Sequence, residues 1–229
     1  MHTEHYPTPE VLAEAAAAHI VRGLWQAIQQ RGRATLVLSG GNTPRATYER
    51  LARTPYVTAL PWQKVEIFFG DERCVPPDAD DSNYRMASES LLNRLPLLPE
   101  NIHRMAGELP PVQAAAAYEA TLRAHLATSP RFDVVLLGLG NDGHTASLFP
   151  DTAALHENER LVVANFVPTL SAWRLTMTFT ALAGGQEIYF LVAGDAKRAI
   201  LQAIQKNPLA YPAGRVHAAS GQARWLITP

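Results

Sequence analysis

The chain has 229 residues, 47% of them hydrophobic and 18% charged, with 20 basic against 21 acidic side chains. That balance leaves no electrostatic footprint for nucleic acid or an anionic membrane, and allows at most a local basic pocket. A single Cys excludes an internal disulfide framework and a multi-cysteine zinc site. It fits a reducing, cytoplasmic setting, and neither a signal-peptide pattern nor an uncharged run of transmembrane length is present.

Taken in chain order, apolar residues Leu12, Ala15, Leu24, Trp25 and Ile28 recur at helical spacing from Pro9 to Gln30, and Gly32 follows as a stop. The residues before the first strand therefore read as one helix. ATLVLS is a short, nearly unbroken apolar run, the pattern of a parallel strand buried on both faces, and it enters Gly40-Gly41. Thr43-Pro44 reads as an N-cap followed by proline at the first helical position, opening the helix RATYERLA. VEIFF is a second strand ending in Gly70-Asp71-Glu72-Arg73, and a helix is expected around Tyr84–Leu92.

A helix near Val112–Leu126 precedes the strand FDVVLL, which runs into GLGNDGHTASLFP. LVVANF, RLTMTFTAL and EIYFLVAG read as further strands, Asp195 to Gln205 as a helix, and ARWLIT as a last strand. Strands alternating with helices mean an α/β fold with a mostly parallel sheet, and without an internal repeat or a dividing linker residues 1–229 read as one domain. Three polar loops follow strand carboxyl ends, which is the edge where open α/β sheets bind ligands.

GLGNDG matches the G-x-G-x-x-G spacing of a dinucleotide-binding turn. That reading needs a long helix opening at the third glycine. Pro150, seven residues after Gly143, would end such a helix within about two turns. The loop reads better as chemistry, with His144 as a near-neutral acid or base and Asp142 to orient it. The plainer alternative makes Asp142 a cap and His144 a solvated loop residue. LSGGNTPRATYERL is the best anion site: Gly40 and Gly41 let backbone N–H groups point inward, beside Asn42 and a helix N-terminus at Thr43. It lacks the lysine of a P-loop, and Ser39 is no nucleophile elbow.

Asp71 and Arg73 form a charged pair at a strand end, weighed against a surface ion pair. Asp78, Asp80, Ser82, Tyr84 and Glu89 imitate a calcium loop, but Asn83 stands where glycine is needed and the stretch reads as a solvated acidic loop. Cys74 has no local histidine to activate it and reads as a packed thiol.

On LSGGNTP, FFGDERCVP with the following DSNYRM, and FDVVLLGLGNDGHTASLFP, the chain resembles the 6-phosphogluconolactonase family. WRLTMTFTAL and VAGDAKRAI are weaker echoes, in family order. The resemblance implies a Rossmann-like three-layer α/β/α domain. It implies hydrolysis of 6-phospho-D-glucono-1,5-lactone, the second step of the oxidative pentose phosphate pathway. It also implies a phosphate site at Gly40, Gly41, Asn42 and Thr43, closed by Arg174 and Lys197. His144 matches the catalytic histidine, with Asp142 beside it and Asp71 and Arg73 facing the lactone.

The related glucosamine-6-phosphate isomerase/deaminase family shares fold and loop, but has a glutamate where this chain has Phe149. A sugar-phosphate sensor is the third reading, and it would be expected to carry a helix-turn-helix. No metal or organic cofactor is expected, the partner is a small phosphosugar lactone rather than nucleic acid or membrane, and monomer and homodimer fit the sequence equally.

Overall fold

The structure, a computed structural model, describes residues 1–127, 131–216 and 223–229. The chain opens with strand β1 (His2–His5), helix α1 (Pro9–Arg31) and strand β2 (Ala34–Leu38). Thr8 caps α1 by accepting the Val11 N–H, Pro9 takes the first helical position, and Gly32 ends the helix at φ 77°. Helix α2 (Asn42–Leu51), strands β3 (Val65–Phe69) and β4 (Asp71–Arg73) and helix α3 (Asn83–Ser90) follow. Helix α4 (Pro111–Leu126) leads to β5 (Phe132–Leu137), then to β6 (Val162–Val167), β7 (Ala172–Met177) and the one-turn helix α5 (Phe179–Leu182). β8 (Gly185–Ala193), α6 (Arg198–Lys206), α7 (Pro212–Arg215) and β9 (Arg224–Thr228) complete the described elements.

Six strands pair in the order β1-β9-β8-β5-β2-β3, and every pair is parallel. All residues of β2 and β5 are buried, which is why both read as mainly apolar runs: a strand covered on both faces has no solvent side to mark with polar residues, and the polar exceptions, Thr35 and Asp133, bond each other. Chain order reverses between these two strands, with β3 beyond β2 on one side and β8, β9 and β1 beyond β5 on the other. The loops leaving their carboxyl ends diverge there and open a crevice. This helix-flanked, mostly parallel sheet is the expected α/β fold.

Outside the site loops, the sequence expectations differ from the structure in four places. The residues before β2 form β1 as well as a helix; β1 pairs with β9, and α1 packs against the sheet, so this segment is spent on the fold rather than on a separate helical module. The run Arg174–Leu182 is not one strand: β7 ends at Met177, and Thr178 caps α5 by accepting the Ala181 N–H. Threonine serves strands and caps alike, so the run conceals the break. β6 and β7 leave the parallel sheet and join β4 in a three-stranded antiparallel sheet, in the order β4-β7-β6. Asp195–Lys197 is a separate 3-10 turn ahead of α6.

Gly70 is the joint between the two sheets. Its N–H donates to the Leu38 carbonyl at 2.9 Å and its carbonyl accepts from Met177 N–H at 2.8 Å. The chain of β3 thus turns at Gly70 into β4, bringing Asp71 and Arg73 to the crevice.

On β3, Glu66 Oε2 meets His103 Nε2 at 3.3 Å and His125 Nδ1 at 3.1 Å. These contacts hold the Glu66 carboxyl well below the usual carboxylate range and outweigh its burial. A depressed carboxylate contributes stability that is present above its unfolded-state pKa and lost as pH falls through the folded one. Glu66→Gln should therefore lower the urea midpoint near neutral pH. The gap to wild type should narrow on acidification below about pH 4, where the unfolded carboxylate takes up its proton.

Candidate active site

β2 runs out into Ser39-Gly40-Gly41, and α2 begins at once. Gly41 sits at φ 103°, in the left-handed region that favours glycine. The expected Thr43 cap does not form. Thr43 is the second residue of α2, no side chain caps the helix, and the Gly41 carbonyl accepts the Arg45 N–H at 3.1 Å. Pro44 has no N–H, so the first-turn donors are those of Asn42 and Thr43. An end without a side-chain cap keeps its donors for a ligand, and its positive pole prefers an anion. Gly40 is needed for space: a Cβ there would lie 2.0 Å from Asn83 Oδ1.

No helix forms between Gly143 and Pro150; Thr145 and Leu148 instead form an isolated bridge, with Ala146 at φ 47°. The sequence had implied a short helix there. Gly140 N–H donates to the His144 carbonyl at 2.8 Å and Gly143 N–H to the Gly140 carbonyl at 3.1 Å, closing a tight turn. The turn brings Asp142 Oδ1 to 2.6 Å from His144 Nδ1, and the same oxygen accepts the His144 N–H at 3.0 Å. Burial pushes the Asp142 carboxyl up, but the hydrogen bonds and the charge of His144 outweigh it and leave it below the ordinary range. The ring nitrogen facing an anionic oxygen is the one that carries the proton, so Nε2 keeps its lone pair. A Cβ on Gly140 would lie 2.1 Å from His144 Nδ1, so only glycine leaves the imidazole this place. The Phe149 ring stacks on the imidazole with centroids 4.0 Å apart.

Asp71 and Arg73 are not paired with each other, contrary to the surface ion pair weighed for them. Asp71 is buried, accepting from Asn83 Nδ2 at 3.2 Å and from Ser147 Oγ at 2.6 Å, while the Arg73 guanidinium donates to the Asp81 carbonyl. Across the β4·β7 register Arg73 faces Arg174. Burial, and then repulsion from Arg73, lower the Arg174 pKa and outweigh the opposing charges of Asp71 and Asp81. Lys197 donates from Nζ to Asn141 Oδ1 at 2.6 Å; burial lowers its pKa against the opposing charge of Asp142.

These groups surround one cleft of about 600 Å³. Gly40, Gly41, Asn42, Thr43, Asp71, Arg73, His144, Arg174 and Lys197 all line it; Asp142 does not, and meets His144 instead. Three cationic side chains against one carboxylate make this the local basic pocket that an even overall charge left open. Asn83, Ser147 and Phe149 also line the cleft, and no site role was read for them from the sequence. Ser82 was a usable signal: it caps α3 through the Arg85 N–H at 3.2 Å and so fixes Asn83 at the helix start. In the calcium-like stretch Asp80 pairs with Arg85 at 2.5 Å and Tyr84 lies inside α3. Burial pushes the half-buried Cys74 thiol up, as a packed thiol should be. Among the described residues no group of three or more His, Cys, Asp or Glu could hold a metal ion, and no helix is long and apolar enough to cross a membrane.

Residues 7–225 match the family described as glucosamine-6-phosphate isomerases/6-phosphogluconolactonase. A 6-phosphogluconolactonase of Synechocystis is 40% identical over 226 residues, covering 95% of this chain and 91% of that protein. One of Nostoc is 38% identical over 232 residues, covering 98% and 94%. The crystal structure of 6-phosphogluconolactonase from Thermotoga maritima superposes with a TM-score of 0.88 at 28% identity, over 100% of this chain and 99% of that one.

The tight approach at Gly140 can be tested without any ligand. Long-range proton–nitrogen NMR correlations should show His144 Nε2 as the unprotonated nitrogen in the wild type. Gly140→Ala should lose that tautomer preference, because the added methyl displaces the ring from Asp142.

Proposed function

The chain belongs to the glucosamine-6-phosphate isomerase/6-phosphogluconolactonase family, and we propose that it hydrolyses 6-phospho-D-glucono-1,5-lactone to 6-phospho-D-gluconate. The observation that carries this reading is the His144–Asp142 contact at the wall of the same cleft that holds an uncapped helix N-terminus and three cations. One end of such a cleft suits a phosphate monoester, and the other offers a base.

In this reading the Gly40–Thr43 loop binds the phosphate and Arg174 and Lys197 close on it, so that C1 of the lactone lies near His144. Their contribution is positioning, which converts a bimolecular encounter into a local one. His144 Nε2 takes a proton from water as its oxygen bonds to C1, and Asp142 holds the ring in the tautomer that allows it. Charge moves to the C1 oxygen, where Arg73 stabilises it. Collapse of that intermediate breaks the bond from C1 to the ring oxygen, which leaves as a hydroxyl after taking up a proton. Asp142 stays anionic beside the imidazole, because its carboxyl is held below the usual range.

Phe149 favours the lactonase over the isomerase/deaminase reading. Its ring occupies the face of His144 with an apolar surface, so the loop brings no second carboxylate to the imidazole from that position. We also assign the enzyme to the cytoplasm, with residues 1–229 acting as one domain.

Freshly generated lactone should be hydrolysed faster than its spontaneous rate, and glucosamine 6-phosphate should release no ammonia. His144→Ala should lower kcat by about 10²–10⁴ with little change in KM, the size expected for loss of a general base. Lys197→Ala should chiefly raise KM. Ammonia release from glucosamine 6-phosphate, or a His144→Ala variant that keeps most of its kcat, contradicts the reading.

A further inference from the structure

Asn83 joins the anion loop to strand β4, and the mechanism above gives it no part. It is 3% exposed, opens α3 and lines the cleft. Its Nδ2 donates to the Asp71 carbonyl at 3.0 Å and to Asp71 Oδ1 at 3.2 Å. Its Oδ1 fills the space that a Cβ on Gly40 would need. One side-chain amide thus touches both the phosphate loop and the buried carboxylate of the cleft.

The backbone under Asn83 is fixed as firmly. Glu72, 2% exposed, accepts from the N–H groups of Arg73 at 2.8 Å, Asn83 at 2.7 Å and Tyr84 at 2.8 Å, and from the Ser82 hydroxyl at 3.1 Å. Strand alternation turns Glu72 to the face opposite Asp71 and Arg73, so its carboxylate pins the start of α3 to β4. On its second oxygen Asp71 accepts the Ser147 hydroxyl at 2.6 Å. With one fixed donor on each oxygen, the carboxylate keeps its remaining lone pairs for a ligand hydroxyl.

We propose that Asn83 is a positioning residue: its amide holds Asp71 as the acceptor for a hydroxyl of the bound phosphosugar lactone, at a set distance from the phosphate loop. This rests on the lactonase reading above. The other titratable or charged groups about Asp71 are Arg174 from β7, the Tyr48 phenol from α2, and Glu72 and Arg73 on its own strand. None of them does the work of the amide. Arg174 donates to the Trp173 carbonyl, Tyr48 is bonded to the backbone of Ser39, Glu72 is turned away, and Arg73 donates to the Asp81 carbonyl.

Asn83→Asp discriminates positioning from a merely structural role. It preserves shape and the backbone N–H to Glu72, but sets a second carboxyl beside Asp71. Two carboxyl groups in contact share one proton, and while they do, the new carboxylic acid donates where the amide did. Lactone hydrolysis and calorimetric binding of 6-phosphogluconate are measured for wild type, Asn83→Asp and Asn83→Ala. Each is expressed as a ratio to wild type at the same pH, which cancels the ligand's own titration. Asn83→Asp should stay within about fivefold of wild type near pH ~5 and fall a further ~10-fold by pH ~8, as the shared proton is lost. Asn83→Ala should lose about 10- to 100-fold in kcat/KM at every pH, mainly through KM, the effect of removing a hydrogen bond to a charged group.

A pH-independent ratio for Asn83→Asp, or near-wild-type binding by Asn83→Ala, overturns the proposal. If Asn83→Ala does not fold, Ser147→Ala removes the other donor to the same carboxylate; weakened binding is expected, and unchanged binding overturns the proposal. A wild type that binds 6-phosphogluconate without hydrolysing the lactone overturns the lactonase reading, while the binding ratios still decide the role of Asn83. A wild type that does neither overturns both.

Discussion

Asp142 Oδ1 lies 2.6 Å from His144 Nδ1 because residue 140 has no Cβ to occupy the intervening space. The contact fixes the direction of the imidazole and which of its nitrogens is free. The rest of the loop serves this arrangement. Gly143, at φ 84°, makes the turn, and its carbonyl accepts the Ala213 N–H at 2.9 Å, tying the turn to α7. Thr145 Oγ1 donates to the Gly138 carbonyl at 2.9 Å, and Phe149 lies on the ring. The G-x-G-x-x-G spacing is thus used here to seat a histidine, and no helix opens at Gly143 to receive a pyrophosphate.

The second constraint is the joint at Gly70. A parallel sheet alone would present the loops after β2 and β5 across a shallow crevice. By turning out of that sheet into an antiparallel one, the chain carries Asp71, Arg73 and Arg174 over the crevice and makes it a cleft lined by one carboxylate and two of its three cations. Asn165 reinforces the connection, donating from Nδ2 to the Ser147 carbonyl at 2.9 Å and to Thr152 Oγ1 at 3.0 Å. The site is therefore held between two sheets, and Ser147 ties the loop after β5 to the antiparallel one, since its N–H also meets Thr176 Oγ1 at 3.2 Å.

What was legible beforehand follows from the range of the interactions involved. ATLVLS and FDVVLL declared themselves because strands buried on both faces are mainly apolar, Thr35 and Asp133 excepted. Pro150 ruled out the long helix by a local steric argument. The strand HTEH had no apolar pattern to offer, since β1 is a short edge strand, and the change from β7 to α5 hid in a threonine that suits either. Gly41 took the place expected of Thr43 because a ligand-facing helix end needs no side-chain cap. Least legible were the partners of Asp71: Ser147 stands 76 positions away and Asn83 stands 12, and neither distance leaves a periodic trace.

The account stands or falls on whether the Asp142 carboxylate sets the tautomer of His144. Asp142→Asn keeps the shape but presents an amide. Its N–H group would donate to Nδ1, driving the proton to Nε2 and removing the base's lone pair. The steady-state rate of lactone hydrolysis by this variant, corrected for the spontaneous reaction, is the direct measurement. The account predicts a fall in kcat of about 10²–10⁴ at nearly unchanged KM, the loss expected when a base is held in the wrong tautomer. A variant that retains most of the wild-type kcat would contradict it.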